Sequence, residues 1–321
     1  MKRAILSFTI VLLASPLAHS EMDETRTTLR THVLKLINRD RQLYSLPPVQ
    51  LDLAASTIGD EYCRQQIAHN TNGHFTTDGL TPYMRYSFAG GNDGVTENAA
   101  AWSATYAFSE RALYEMARRS QDAMMGEAPP NDGHKRAILD PHATHVGIGL
   151  AWERGEFRLV QEFIRRYVAW KAPLPRRAAI GDAVVAAGRA VNGAEVDAIS
   201  VHFEKFPETM PSHVANALES YSLPRSRKDY LPRLRQDYTR HPNGTIEMVT
   251  REYADGSRGH FYLGQEGDFS FAVPFDEGPG VYTVVVWVKR EGTNVTVSAS
   301  NVSIRVEEAS PAPMRASAGG R

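Results

Sequence analysis

Four side chains in the first half of the chain have the residue types and flanking sequence for metal or proton chemistry: His74, Glu97, Glu127 and His134. His74 opens the run after Gly73 in GHFTTDGLTPYMR, Glu97 begins ENAAAW, Glu127 closes MMGE, and His134 follows Gly133 in GHKRAIL. Two neutral imidazoles with one or two carboxylates suit zinc, and a set with fewer nitrogens suits a harder ion such as magnesium. On this reading all four side chains are ligands, and the cofactor is zinc or another divalent metal. The structural alternative is that His74 and His134 are satisfied by hydrogen bonds to Glu97 and Glu127, with no ion. The four residues stand on four separate segments, so folding rather than local spacing must assemble them. His142 and His145 follow closely and offer an extra ligand, or simply occupy a loop and a strand start.

Other chemistries are poorly supplied. There is no GxSxG elbow, and the single cysteine, Cys63, falls within an expected helix with no glycine-framed turn, which reads as a buried, inert thiol. Covalent catalysis is therefore set aside. An enzyme built on these residues would perform metal-assisted hydrolysis, with a glutamate as base toward a bound water. A formal net charge of -1 gives no global attraction to nucleic acid. The basic and aromatic run Arg225, Arg227, Lys228, Tyr230, Arg233, Arg235 and Tyr238 is broken by Asp229 and Asp237 and reads as a solvated loop.

Helices and a hairpin must hold the four residues in place. Leu29, Val33, Leu36 and Leu43 share one side of a helical wheel, predicting a helix over 25–44 that stops before Pro47 and Pro48. Asp52 caps a second helix reaching His69, with an apolar face of Ala55, Ile58 and Tyr62. A glycine-rich loop over 72–94 follows, and then a third helix over 104–125 with Leu113, Met116, Ala117, Ser120 and Met124 on one face. A short helix over 134–139 ends at Asp140 and Pro141. In the strand after it, Val146, Ile148, Leu150 and Trp152 alternate with Gly147, Gly149 and Ala151, so another element must approach its bare face. A turn over 153–156 leads to a partner strand over 157–168. Three helices and a late hairpin imply a layered α+β domain.

The order of His74, ENAAAW, MMGE, GHKRAIL and THVGIG resembles the CAP superfamily: cysteine-rich secretory proteins, antigen 5 and pathogenesis-related proteins, also called SCP-like extracellular proteins. The resemblance covers 25–168 and implies a three-layer α-β-α sandwich with a large cleft, in which a tetrad of two histidines and two glutamates matches His74, Glu97, Glu127 and His134. It departs from the family in having Met124 and Met125, not aromatic residues, before Glu127, in lacking disulfides as bacterial members do, and in adding a C-terminal region. It further implies a module that binds a small molecule, lipid or peptide in the cleft more than a conventional enzyme.

Beyond 180 the periodicity changes to short β runs divided by Asn-Gly, Asp-Gly and Gly-Pro-Gly turns, predicting an all-β Ig-like sandwich without a cysteine pair. Lys2, Arg3, an apolar run to Ala18 and small residues at Ala18 and Ser20 read as a signal peptide over 1–20, giving a secreted or periplasmic protein with no transmembrane segment after cleavage. The expected organisation is therefore a signal peptide at 1–20, a CAP-like domain at 21–170, a proline-held linker at 171–180, a β-sandwich at 181–309 and a disordered tail at 310–321. The leading function is ligand binding in a cleft, with a divalent metal as cofactor. The alternatives are a metal-dependent hydrolase acting on peptides or envelope polymers, and a structural or adhesion protein.

Overall fold

The structure, a computed structural model, describes residues 16–309 except 265, 291 and 294. Most of the expected signal peptide, at 1–15, and the expected tail at 310–321 lie outside the described residues.

The first half is organised on one sheet. In chain order its elements are α1 (Pro16–Leu43), β1 (Gln50–Leu51), α2 (Leu53–His69), α3 (Pro82–Phe88), β2 (Gly94–Ser103), α4 (Glu110–Met125), α5 (Gly133–Ile138), β3 (His145–Glu153) and β4 (Glu156–Arg165). The strand order is β1-β3-β4-β2, with β1 parallel to β3 and the remaining pairs antiparallel. Arg154 and Gly155 both take positive φ, 48° and 84°, the backbone that joins β3 tightly to β4.

Alternation along the strands divides the core into two layers. On one face Val146, Ile148, Leu150, Phe157, Leu159 and Phe163 meet Leu29, Val33 and Ile37 of α1 and Leu113, Ala117 and Met124 of α4. On the other, Val160 and Ala151 pack with Tyr62 and Cys63 of α2, and Val95 and Ile164 with Tyr83 and Met84 of α3. The bare face of β3 admits α2 at very short range: a Cβ on Gly149 would sit 2.2 Å from the Gly59 carbonyl carbon. The result is the expected α-β-α arrangement, with α1 and α4 in one layer and α2 and α3 in the other.

Several local expectations change. The loop expected over 72–94 contains α3, which begins with Pro82 in the first turn, where its missing N–H costs nothing. The third helix starts at Glu110, not 104, because Ser109 accepts from the Ala112 N–H and caps it. Residues 94–103 form β2, which pairs with β4 along its whole length despite the three alanines. Leu43, expected on the buried stripe of α1, is 76% exposed at the helix end, and Ile37 is buried instead.

The second half contains β5 (Val168–Trp170), β6 (Arg177–Ala179), β7 (Val184–Ala190), β8 (Ala194–Glu204), α6 (Ser212–Ala217), β9 (Arg227–Tyr230), β10 (Asp237–Arg240), β11 (Ile246–Val249), β12 (Tyr262–Leu263), β13 (Asp268–Val273), β14 (Gly280–Arg290), β15 (Thr296–Ser298) and β16 (Val302–Glu307). A four-stranded sheet, β12-β13-β7-β5, and a larger one, β6-β16-β14-β8-β9 with β15 on β14, enclose one apolar core that includes Phe269, Phe271, Ile199, Val284 and Ile304. Within the span expected as a β-sandwich, 181–309, β10 and β11 instead form a separate exposed hairpin. Residues 171–180, expected as a linker, are tied into the fold: Leu174 is 3% exposed and β6 pairs parallel with β16.

The two halves meet along the free edge of β2, where a strand presents unpaired backbone groups that need a cover. Gly94 donates to the Ala299 carbonyl at 2.9 Å, and the Asn301 side chain bonds both the N–H and the carbonyl of Val95. The excursion between β8 and β9 returns to the same side: Met210 donates to the Thr77 carbonyl, and Asn216 bonds Asn72 and Asn70. Among the described residues no helix is long and apolar enough to cross a membrane.

Candidate functional site

All four expected residues come together beside the edge strand β2. His74 follows the end of α2, where Asn70 takes the left-handed conformation that turns the chain. Its backbone is fixed on both sides: the Tyr62 hydroxyl and Gln66 amide donate to the Gly73 carbonyl, and Arg85 donates to the His74 carbonyl. His134 stands in the first turn of α5, next to Gly133. The Asn98 amide donates to the His134 carbonyl at 3.0 Å. Glu97 and Asn98 are consecutive on β2 and so point to opposite faces. One layer supplies His74, the other His134, and the imidazoles meet with ring centroids 6.1 Å apart.

Each ring is held by a carboxylate. His74 Nδ1 lies 2.9 Å from Glu97 Oε1, and His134 Nδ1 bonds Glu127 Oε1. With Nδ1–H donating to the carboxylate, Nε2 of each ring is the nitrogen left without a protein partner among the described residues. His74 is 8% exposed, while the His134 side chain is 34% exposed, so the pair opens to solvent on the His134 side.

Each glutamate has a further partner besides its ring. The second oxygen of Glu97 pairs with Arg85 of α3, whose guanidinium stacks 3.4 Å from the centre of the Tyr62 ring. The second oxygen of Glu127 accepts from the backbone N–H groups of His134 and Lys135, so this carboxylate caps α5 as well as orienting its histidine. Each carboxylate thus has a protein partner on both oxygens. The alternative of histidines hydrogen-bonded to these same glutamates matches the contacts directly.

Among the described residues no group of three or more His, Cys, Asp or Glu side chains is arranged to hold a metal ion. His142 and His145 do not complete one: His145 bonds Thr144, and the His142 carbonyl accepts from the Tyr167 hydroxyl. What fits a metal is the pair of ring nitrogens backed by carboxylates, the usual support of a ligating histidine. Zinc–nitrogen bonds of ~2.1 Å set two ligating rings about 5–6 Å apart between centroids, and the 6.1 Å separation is just beyond that range.

Three participants escaped the sequence reading. Arg85 lies in PYMRYSF, an isolated charge among aromatic residues, and that isolation is its signal. Tyr221 comes from the excursion between β8 and β9. Its hydroxyl accepts from the Glu97 N–H at 2.6 Å, and its ring stands edge-on to His74 at 5.0 Å. Nothing local in the sequence links it to a strand 124 residues away. Glu162, on β4, is the cross-strand partner of Glu97, is 1% exposed, and neither of its carboxylate oxygens has a hydrogen-bond partner among the described residues. Burial, reinforced by the charge of Glu97, pushes its pKa up to about 8. A polar residue within the buried run LVQEFI was the available signal.

Comparison with known proteins bears on the first half of the chain. Residues 34–163 match the profile described as CAP, cysteine-rich secretory protein family. Among solved structures, the chain is similar to an extracellular protein containing an SCP domain from Bacillus anthracis str. Ames, at 17% identity and a TM-score of 0.34, over 48% of this chain and 45% of that one. The match therefore spans less than half the length of that protein. No curated protein matches the chain. The matched residues carry His74, Glu97, Glu127 and His134 on an α-β-α sandwich, and this part of the chain is a CAP domain.

Proposed function

We propose that the protein is an exported CAP-domain module that binds a ligand at the His74–His134 pair, with a divalent metal, zinc by the chemistry of its donors, held by the two Nε2 atoms. The observation that carries this reading is the convergence of two carboxylate-backed imidazoles from opposite layers at a 6.1 Å ring separation. Two protein nitrogens leave coordination positions open, and a bound ion would offer them to an oxygen or nitrogen of a small molecule, lipid headgroup or peptide. Support for export comes from the charged, apolar and small-residue order of 1–20.

Binding is favoured over hydrolysis by the state of the carboxylates. A general base needs an oxygen free to take a proton from water. Glu97 is committed to His74 and Arg85, and Glu127 to His134 and the start of α5. The test is elemental analysis of protein purified without added metal, followed by a peptidase and glycosidase screen with and without chelator. About one equivalent of metal and no chelator-sensitive turnover support the reading. Chelator-sensitive turnover would establish the hydrolase instead. N-terminal sequencing should begin at or near Glu21, and a mature protein starting at Met1 would refute export.

A further inference from the structure

A cavity lies where the two halves meet, lined by neither His74 nor His134, and its composition is not that of a passive seam. It encloses about 370 Å³, within the usual size range of small-molecule pockets. Arg176, Arg177 and Arg305 line it together with Leu80, Phe88 and Pro207. Asp78 and Thr209 complete the lining. A neighbouring groove of about 270 Å³ shares Asp78, Leu80 and Phe88, and continues the apolar wall to Ile58.

The charge in this cavity is unbalanced. Arg177 and Arg305 are register partners on β6 and β16, an arrangement of like charges that is unfavourable by itself. One carboxylate serves both: Glu307 lies 2.9 Å from Arg305 and 3.9 Å from Arg177. Arg176 has carbonyl and amide partners only, at Leu174, Gly91 and Asn92, and among the described residues no carboxylate pairs with it. Its half-buried guanidinium is held in place yet uncompensated, and burial lowers its pKa. Arg305 is likewise positioned, stacked 4.3 Å over the Phe206 ring. Preset guanidinium groups favour phosphate oxygens, which they bind in planar pairs of hydrogen bonds.

We propose that this cavity binds a phosphate ester with an apolar body: the phosphate on Arg176, Arg177 and Arg305, the body against Leu80, Phe88 and Pro207. All three arginines, and Pro207, fall outside the residues that match the CAP profile, so this site belongs to the chain's own combination of halves. It stands independently of any ion at His74 and His134.

The test is calorimetric titration of the full chain, in the presence of chelator, with 2-naphthyl phosphate, 2-naphthol and inorganic phosphate. The ester should bind at least ~10-fold tighter than either half alone, because only it uses both walls. Arg177→Gln and Arg305→Gln should each weaken it severalfold or more with little change in melting temperature. Arg177 is largely exposed, so its variant remains informative if changes at Arg176 or Arg305 disturb folding. Flotation with phosphatidylcholine vesicles, with and without phosphatidic acid, separates two sources of the same headgroup. Flotation that needs phosphatidic acid and is lost in Arg305→Gln assigns a lipid, and ester binding without flotation assigns a soluble ligand. Naphthol binding equal to the ester, or ester binding indifferent to Arg177→Gln and Arg305→Gln, overturns the proposal.

Discussion

Glu97 and Asn98, adjacent on β2, fix the two histidines from opposite sides of one sheet: the Glu97 carboxylate bonds His74 Nδ1, and the Asn98 amide donates to the His134 backbone carbonyl. The alternation of a β-strand thus does what no local motif could, bringing two layers to one point. Because β2 is the edge of the sheet, the rings meet beyond its margin instead of within the core.

The Asn98 contact is testable by itself. Asn98→Ala removes the donor to the His134 carbonyl and one partner of Gln161, which should cost about 1–3 kcal/mol. Hydrogen exchange should rise in α5 more than in α2. Equal change in both helices would show that Asn98 supports the core generally and does not specifically hold His134.

Arg85 supplies the buried countercharge of Glu97, and nothing among the described residues replaces it. Arg85→Gln should destabilise the protein by about 3–5 kcal/mol, because it strands a carboxylate away from water. Urea unfolding measures this. The double variant Arg85→Gln with Glu97→Gln should recover part of the loss, and failure to recover any would remove the ion pair as its cause.

Glu162 makes stability depend on pH in a defined direction. Its pKa is raised from an ordinary 4.5 to about 8 in the folded state, by burial first and then by Glu97. Between those values the unfolded chain releases a proton that the folded chain retains, so stability falls as pH rises through that window and the full penalty is present above about 8. Below about 4.5 the effect vanishes. Glu162→Gln, which cannot ionise, should gain on the wild type by on the order of a few kcal/mol between pH ~5 and ~8.5. Urea midpoints of the two proteins that move in parallel across that range would show that Glu162 does not titrate there.

The same residues show how far the sequence could be read. The apolar stripe of α1, the Asp52 cap of α2 and the bare face of Gly147 and Gly149 are local patterns with one physical reading each, and the fold follows them. Strand β2 was not legible, because Ala99, Ala100 and Ala101 carry no β preference and only pairing with β4 makes that stretch extended. Four site residues could be named in advance, since histidine and glutamate beside glycine are conspicuous. The pairing of rings with carboxylates was open as the structural alternative, but the further partners of those carboxylates, Arg85 and the start of α5, were not legible because no local motif joins them. Tyr221 was beyond reach altogether: it arrives from the other half of the chain and makes its contact through a backbone N–H.

The most direct test of the account is calorimetric titration of zinc into the metal-free full chain and four variants: His74→Ala, His134→Ala, Glu97→Gln and Glu127→Gln. A paired-nitrogen site predicts one equivalent of binding, abolished in each histidine variant and weakened only about 10-fold in the glutamate variants, whose residues orient the rings without touching the ion. Loss of binding in the glutamate variants equal to that in the histidine variants, with folding intact, would restore the carboxylates as ligands. Wild-type protein that binds no zinc, or binding unchanged in His74→Ala and His134→Ala, would contradict the central claim and leave the tetrad as a structural network.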